Sequence, residues 1–214
     1  MSEQPKFSND EYRRYLKRLA ALVYSELVPK VALLDYFTVH AHEFSPQPIK
    51  VEPLLWIINS GLYHDTTLSL FRLVHPTQSD RNIVHFLRIT KDRYKQIEWE
   101  KPFKRNEVVE HLKQWEEQSE PIRRLVTRRN KFFAHYDKEY FYEPDRLAEE
   151  VPFGIEDAME VVRRLQEIVG FYHDRLFGTY PISMEGFVYA GAYRLYELMR
   201  NDHAKRAQSE PDQA

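Results

Sequence analysis

The chain contains 214 residues, with 31 basic and 33 acidic side chains and a net charge of -2. It has no cysteine, which excludes disulfides, thiolate metal sites and cysteine nucleophiles, and its near-zero net charge excludes a global electrostatic attraction to nucleic acid. Its six glycines are too few for a β protein rich in tight turns, while good helix formers fill the stretches between prolines. The composition predicts an all-α fold in a single domain.

The sequence also indicates the cellular compartment of the protein. The first residues are polar and form no apolar signal core, and no apolar run is long enough to cross a bilayer. A chain without cysteine needs no oxidising compartment. We therefore expect a cytoplasmic protein that does not enter the membrane.

The first predicted helix follows a short amino-terminal tail, residues 1–8. Residues 8–11, Ser-Asn-Asp-Glu, are typical of a helix start, and apolar side chains then recur at helical spacing. Pro29 is expected to kink or end this helix. The apolar pattern resumes after Pro29 until residues 45–48, which contain two prolines, break it.

A second helix is predicted from Val51 to His75. Apolar residues occupy much of its circumference, so we expect it to be the central helix, buried on more than one side. These residues are Leu54, Leu55, Ile57, Ile58, Leu62, Leu68, Leu70, Phe71 and Val74. Asp65, Ser69 and Arg72 form a polar stripe on it. The preferred interpretation is a solvent-facing Asp65–Arg72 pair, and the alternative is a stripe that supports a functional site.

The rest of the chain follows the same pattern. A short helix near Ile83, a helix over residues 105–118 and a helix from Pro121 are followed by a predicted loop over residues 138–154. Two helices come next, of which the first is amphipathic. The first carries Ala158, Val161, Val162, Leu165, Ile168, Val169 and Tyr172, and the last carries Met184, Phe187, Val188, Gly191, Leu195 and Leu198. We expect six to seven helices within residues 9–203 and a disordered polar tail over residues 204–214.

The helix from Pro121 has two contrasting faces. One face is apolar and consists of Ile122, Leu125, Val126, Phe132, Phe133 and Tyr136. Arg129 lies in the middle of this face, where an unpaired cation is costly, so we expect it to meet a carboxylate, a bound anion or a subunit interface. The opposite face gathers Arg124, Arg128, Lys131 and His135 into a basic strip.

An arginine and a histidine this close together are the groups needed to cut RNA without a metal. A histidine can move the proton of the attacking ribose hydroxyl because its pKa lies near neutrality. An arginine can stabilise the charge that develops on the phosphate oxygens. The spacing alone favours a solvated basic face over a catalytic site, because such pairs are common on helices.

The full string over residues 129–137, Arg-Asn-Lys-Phe-Phe-Ala-His-Tyr-Asp, resembles the signature of the HEPN superfamily. In that family an arginine with a polar neighbour is followed by a histidine, with four to six residues between them. Here five residues lie between the two. The Ala-His-Tyr-Asp ending, and an upstream helix closed by His75 and a proline, look most like the abortive-infection U-type branch. The similarity in helix order covers residues 12–178.

This resemblance implies a helical bundle that commonly forms homodimers, with the two signatures meeting in a cleft. Many such proteins are metal-independent ribonucleases in toxin and antitoxin pairs, phage defence or RNA processing. Arg129 and His135 match the catalytic pair, and Asn130 matches the polar neighbour. We assign RNA contacts to Arg124, Arg128 and Lys131, and supporting roles to Tyr136, Asp137, Asp65 and Arg72. We expect no cofactor and no metal.

Two functions follow from the resemblance. The first is an endoribonuclease that acts on RNA as a homodimer, with a cognate antitoxin protein as a further partner. The alternative is a non-catalytic module that binds nucleotides, RNA or another protein. One geometric question stays open, because Arg129 and His135 point to different sides of a regular helix. Either the helix distorts, or two subunits complete one site, or Arg128 contributes.

Overall fold

The computed structural model describes residues 8–38, 40, 52–75, 81–116, 120–133 and 144–209. Regular structure in these ranges is entirely helical, which confirms the predicted all-α class. The eight helical segments are α1 (Asn9–Ala20, a π-helical stretch Ala21–Leu27, and Val28–Thr38), α2 (Pro53–Val74), α3 (Ile83–Arg93), α4 (Arg105–Glu116), α5 (Glu120–Arg128 and a π-helical turn Arg129–Phe133), α6 (Pro144–Glu150), α7 (Ile155–Phe177) and α8 (Glu185–Ser209). None of the helices in this part of the chain has the length and apolar character of a membrane span.

The helix α1 begins where the sequence predicts. Its first turn is a capping box, in which the backbone N–H of Glu11 donates to Ser8 Oγ (3.2 Å) and the backbone N–H of Ser8 donates to the Glu11 carboxylate (2.8 Å). Pro29 distorts α1 without ending it. Because proline lacks an N–H and crowds the carbonyl four residues back, the wider π-helical stretch before it lets the helix continue to Thr38. The predicted break at residues 45–48 lies outside the described residues.

The central helix of the fold is α7, which packs against α1, α2 and α5. Its buried face contains the residues that the sequence predicts, Ala158, Val161, Val162, Leu165, Ile168, Val169 and Tyr172. The Tyr172 ring meets Phe86 of α3 edge-on at 5.3 Å, and Phe86 stacks on Tyr12 of α1, also at 5.3 Å. Aromatic contacts therefore tie α1, α3 and α7 into one core.

The prediction that the second helix is central is wrong. Burial in α2 is confined to its C-terminal half, between Thr66 and Val74. Leu54, Ile57 and Ile58 were expected in the core, yet they are 64%, 59% and 48% exposed. An apolar composition indicates a helix that tends to be covered, but it does not identify the covering surface.

The last helix is present where the sequence predicts it, but few of the apolar residues that locate it are buried. Phe187, Leu195 and Leu198 are 70%, 42% and 63% exposed. Instead α8 buries Ala192 and Tyr196 in a second, smaller cluster at the end of α1. The helix thus has an apolar face on each of two sides, and a sequence pattern cannot tell which one faces inward.

Two boundaries differ from the prediction as well. Helix α8 continues to Ser209, although a tail was expected from Ala204, because the residues between them include good helix formers such as alanine, lysine and glutamine. Helix α6 lies inside residues 138–154, which were predicted to form a loop. Its first residue is Pro144, and proline fits the first turn of a helix.

One buried side chain joins the end of α2 to the start of α3. Asn82 is fully buried, and its side-chain oxygen accepts from the backbone N–H of His85 (2.8 Å), which caps α3. Its side-chain nitrogen donates to the carbonyl oxygen of His75 (2.6 Å), and its own carbonyl oxygen accepts from the Tyr15 hydroxyl (2.8 Å). The position of His75 is therefore fixed from α1 and α3.

We predict that Asn82→Ala lowers the free energy of unfolding by about 2 kcal/mol, because it removes a helix cap and leaves a carbonyl without its donor. Urea denaturation followed by circular dichroism measures this change. Asn201→Ala is the matched control, because Asn201 is exposed on α8 and its loss should have almost no effect. Equal stability of the two variants would show that the Asn82 bonds contribute nothing.

Candidate functional site

The helix α5 is anchored within a single chain. Ile122 and Leu125 are both 0% exposed and belong to the main core, and α5 packs against α2 and α7. The predicted apolar face thus exists, but these two residues need no second subunit to cover them. These two residues are therefore covered by the chain's own core.

The helix changes form at the first residue of the signature. It is α-helical up to Arg128 and π-helical over Arg129–Phe133. π-helical turns are rare, and those that do occur are often found at functional sites. A distorted helix was one of three explanations for the angle between the two signature residues, and the distortion is present. His135, Tyr136 and Asp137 lie outside the described residues.

Arg129 finds its partner on α2. Its guanidinium carbon lies 4.6 Å from the centre of the Phe71 ring, which is a cation–π contact, and its Nη1 donates to Asn130 Oδ1 (3.2 Å). The sequence predicted a carboxylate, an anion or an interface here, and among the described residues the partner is an aromatic face. A contact of this kind orients the guanidinium without a charge-paired hydrogen bond.

His75, which the sequence analysis places at the end of the second predicted helix, lies next to the same ring. The imidazole of His75 lies 4.7 Å from the Phe71 ring, centre to centre. Partial burial and the nearby charge of Arg129 lower the pKa of His75. The signal was present in the sequence, because residues 71 and 75 are one helical turn apart. Arg129, Phe71 and His75 form a cluster that we call the Phe71 cluster.

The neighbouring arginine, Arg128, makes a similar contact with a ring about two helical turns earlier on α2. Arg128 lies over the Tyr63 ring (6.0 Å) and its Nη1 donates to the carbonyl oxygen of Val151 (3.4 Å). Burial and the charge of Arg128 lower the pKa of His64. Arg128 thus faces α2 and the segment before α7, whereas the sequence placed it on an open basic strip.

The remaining predicted residues of the strip differ in their surroundings. Arg124 forms ion pairs with Glu120 (3.2 Å) and with Asp157 of α7 (3.6 Å). Asn130 is exposed, and Lys131 is half-buried. The cations expected to contact RNA are therefore partly engaged within the chain.

The polar stripe on α2 is paired differently from the preferred interpretation. Asp65 accepts from Lys30 of α1 at 2.5 Å, so its partner is on another helix and not Arg72. Both Asp65 and Arg72 are exposed. Sequence spacing identifies pairs within one helix and carries no information about a cation that tertiary packing brings close.

Comparison with known families identifies the family of the chain. A family model for AbiU2 proteins, which are HEPN proteins, matches residues 46–206, about three quarters of the chain. The chain therefore belongs to the AbiU2 family of HEPN proteins, as its signature predicted. Searches of curated proteins and of solved structures gave no match.

We predict that each arginine controls its own histidine. Removing the positive charge in Arg129→Gln should raise the pKa of His75 and leave that of His64 unchanged, because a nearby cation disfavours the imidazolium form. Arg128→Gln should do the reverse, so each variant is the control for the other. Titration of the imidazole resonances by NMR measures both values. A His75 pKa unaffected by Arg129→Gln would contradict the arrangement.

Proposed function

We propose that this protein is a metal-independent endoribonuclease of the abortive-infection type, with Arg129, Asn130 and His135 as its catalytic residues. Membership of the AbiU2 family supports an activity of the HEPN type. The observation that carries the proposal is the placement of Arg129, the first residue of the signature, on the Phe71 ring beside His75. An arginine held in this way is suited to bind the phosphate of an RNA backbone.

The reaction needs only the RNA chain and the signature residues. In the proposed step, His135 takes the proton from a ribose 2′-hydroxyl, and the resulting oxygen attacks the adjacent phosphorus. Arg129 stabilises the charge on the non-bridging oxygens. The bond to the 5′-oxygen breaks, and that oxygen takes a proton from His135. The products are a 2′,3′-cyclic phosphate and a free 5′-hydroxyl, so His135 ends the cycle unchanged.

The Phe71 cluster determines how positive charge is distributed at this place. Because the pKa of His75 is lowered, that imidazole is mostly neutral at neutral pH. Arg129 then supplies the cationic group of the cluster. Asn82 holds the backbone of His75, so the cluster is supported from the core and does not have to be ordered by substrate.

The proposal includes partners and a compartment. As an RNA-cutting toxin the protein would act in the cytoplasm, where its substrate is, and a cognate antitoxin would restrain it. A homodimer would bring two signatures to one assembly. A binding-only HEPN module is the competing function, and its mark would be RNA binding without cleavage.

We predict that the purified full chain cleaves single-stranded RNA in excess chelator. His135→Ala should lower the rate about a hundredfold or more, because it removes the proton-transfer group. Arg129→Ala should lower it by about 10²-fold to 10³-fold, since it removes the oxyanion-stabilising donor. His203→Ala is the control, because His203 is exposed on α8, away from the signature.

The assay distinguishes the endoribonuclease from the binding-only module. Cyclic-phosphate ends, identified by mass spectrometry of the products, support the proposed step. A strict requirement for added magnesium or manganese would reject it. RNA binding with no cleavage by the wild-type chain, or a His135→Ala variant as active as the wild type, would favour the binding module.

A further inference from the structure

A small cavity lies between α4 and α7, apart from the candidate site. Its wall consists of His111, Gln114 and Trp115 of α4 and of Arg164, Glu167 and Ile168 of α7. None of these residues belongs to the signature or to the Phe71 cluster. The cavity has about 80 Å³ of space that water-sized groups can occupy, and one water molecule needs roughly 10–15 Å³ of such space. The cavity is therefore large enough for an ion of several heavy atoms.

Two residues of this wall hold buried hydrogen-bond donors that lack an acceptor. Trp115 is 2% exposed, and its Nε1 is buried without a partner among the described residues. Nη1 of Arg164 is buried and unpartnered in the same way. Both groups donate and cannot accept, and a buried donor without an acceptor costs free energy. An acceptor inside the cavity would remove that cost.

The charge of Arg164 points to the kind of acceptor. Its side chain is half-buried, and it forms no ion pair with any residue that the structure describes. Glu167 is nearly one turn further along α7 and is exposed, but it is not paired with this guanidinium. A partly buried cation without a carboxylate partner favours the binding of an anion.

His111 adds a third donor to the wall. Its Nδ1 lies 3.0 Å from the hydroxyl oxygen of Tyr172, which is fully buried. Burial raises the pKa of Tyr172, so the hydroxyl keeps its proton and donates it to Nδ1. Burial also lowers the pKa of His111, against the opposing charge of Glu107, so the imidazole is neutral at neutral pH. In this tautomer Nε2 carries the hydrogen and is the donor.

We propose that this cavity binds inorganic phosphate. Arg164 and Trp115 donate to the phosphate oxygens, and a guanidinium is the side chain best suited to such a group. Hydrogen phosphate also retains one proton, and Glu167 accepts it, which accounts for a carboxylate among donors. Gln114 and Arg164 are long side chains that can change rotamer to admit the ion, as is common on binding.

The first test uses the three tryptophans of the chain. Trp99 Nε1 already donates to the carbonyl oxygen of Tyr94 (3.0 Å), and Trp56 is 61% exposed. Titration of the full chain with inorganic phosphate should therefore move only the Trp115 indole N–H resonance. The shift should be downfield, because this N–H gains a charged acceptor. Trp115→Phe identifies the resonance, and the other two are internal controls.

The second test measures phosphate binding by titration calorimetry. Arg164→Gln should raise the dissociation constant by roughly tenfold or more, as for the loss of a charge-assisted hydrogen bond. Arg163→Gln is the matched control, because Arg163 is the next residue on the same helix, is exposed and is not in the wall. Its removal should leave the affinity nearly unchanged. Circular dichroism shows whether each variant is folded.

The third test concerns Glu167. Sulfate carries no proton at neutral pH, so it meets the Glu167 carboxylate as a like charge. The wild-type chain should therefore bind sulfate more weakly than phosphate by roughly tenfold. Glu167→Gln should narrow that difference, because the amide can donate to sulfate as well. Glycerol 3-phosphate distinguishes a free ion from an ester, and it should bind more weakly than inorganic phosphate.

Four results would overturn the proposal. One is a wild-type chain that shows neither heat nor an indole shift at millimolar phosphate. Another is an equal loss of affinity in Arg164→Gln and Arg163→Gln, which would indicate diffuse surface charge. A third is binding that leaves the Trp115 resonance unmoved. The last is tighter binding of glycerol 3-phosphate than of phosphate, which would indicate a larger ligand. None of these involves cleavage of RNA, so this inference and the proposed ribonuclease activity succeed or fail separately.

Discussion

The ring of Phe71 is the contact on which the candidate site depends. It is 2% exposed and belongs to the main core, so its position is set by the packing of α2 against the bundle. The guanidinium of Arg129 lies over this ring, and the imidazole of His75 lies beside the ring. The packing of the core therefore determines the geometry of the candidate site. A cation–π contact of this kind stabilises by about 0.5–2 kcal/mol, which is modest for folding but sufficient to orient a side chain.

The π-helical turn at Arg129 is consistent with this constraint. Ile122 and Leu125 fix the N-terminal part of α5 in the core, and a regular helix would continue that register. Wider π turns weaken hydrogen-bond geometry and persist where another contact compensates for them. The contact of Arg129 with Phe71 is such a compensation. The segment that carries the signature thus leaves regular geometry at the residue where chemistry is proposed.

Much of the fold follows from the sequence, and the exceptions share a cause. The capping box at Ser8 and the buried face of α7 depend on local spacing, which a sequence displays directly. The exposure of Ile57 and Phe187 depends on which surface covers an apolar side chain, and spacing does not encode that. The error about α2 follows from this, because its apolar composition is the same whichever surface covers it.

The candidate site, like the fold, could be predicted only in part from the sequence. The signature string located Arg129 without any structure, because the motif is local in the chain. The link from Arg129 to Phe71 and His75 was missed, because Phe71 and Arg129 are 58 positions apart in the chain and only tertiary packing joins them. The Lys30 partner of Asp65 was missed for the same reason. Local motifs thus name the reacting groups, whereas the surrounding structure determines their electrostatics.

The two consecutive arginines show how that surrounding structure distinguishes their roles. Arg128 and Arg129 each lie over an aromatic ring of α2 and each lower the pKa of a histidine on that helix. Arg128, however, also donates to the carbonyl of Val151, and its Nε is buried without a partner among the described residues. Arg128 is half-buried, and a guanidinium that already donates to a backbone carbonyl of another segment is less well placed to receive a phosphate. Within that part of the chain Arg129 hydrogen-bonds only to exposed Asn130, so under the proposed function it is the better placed of the two arginines to receive an RNA phosphate.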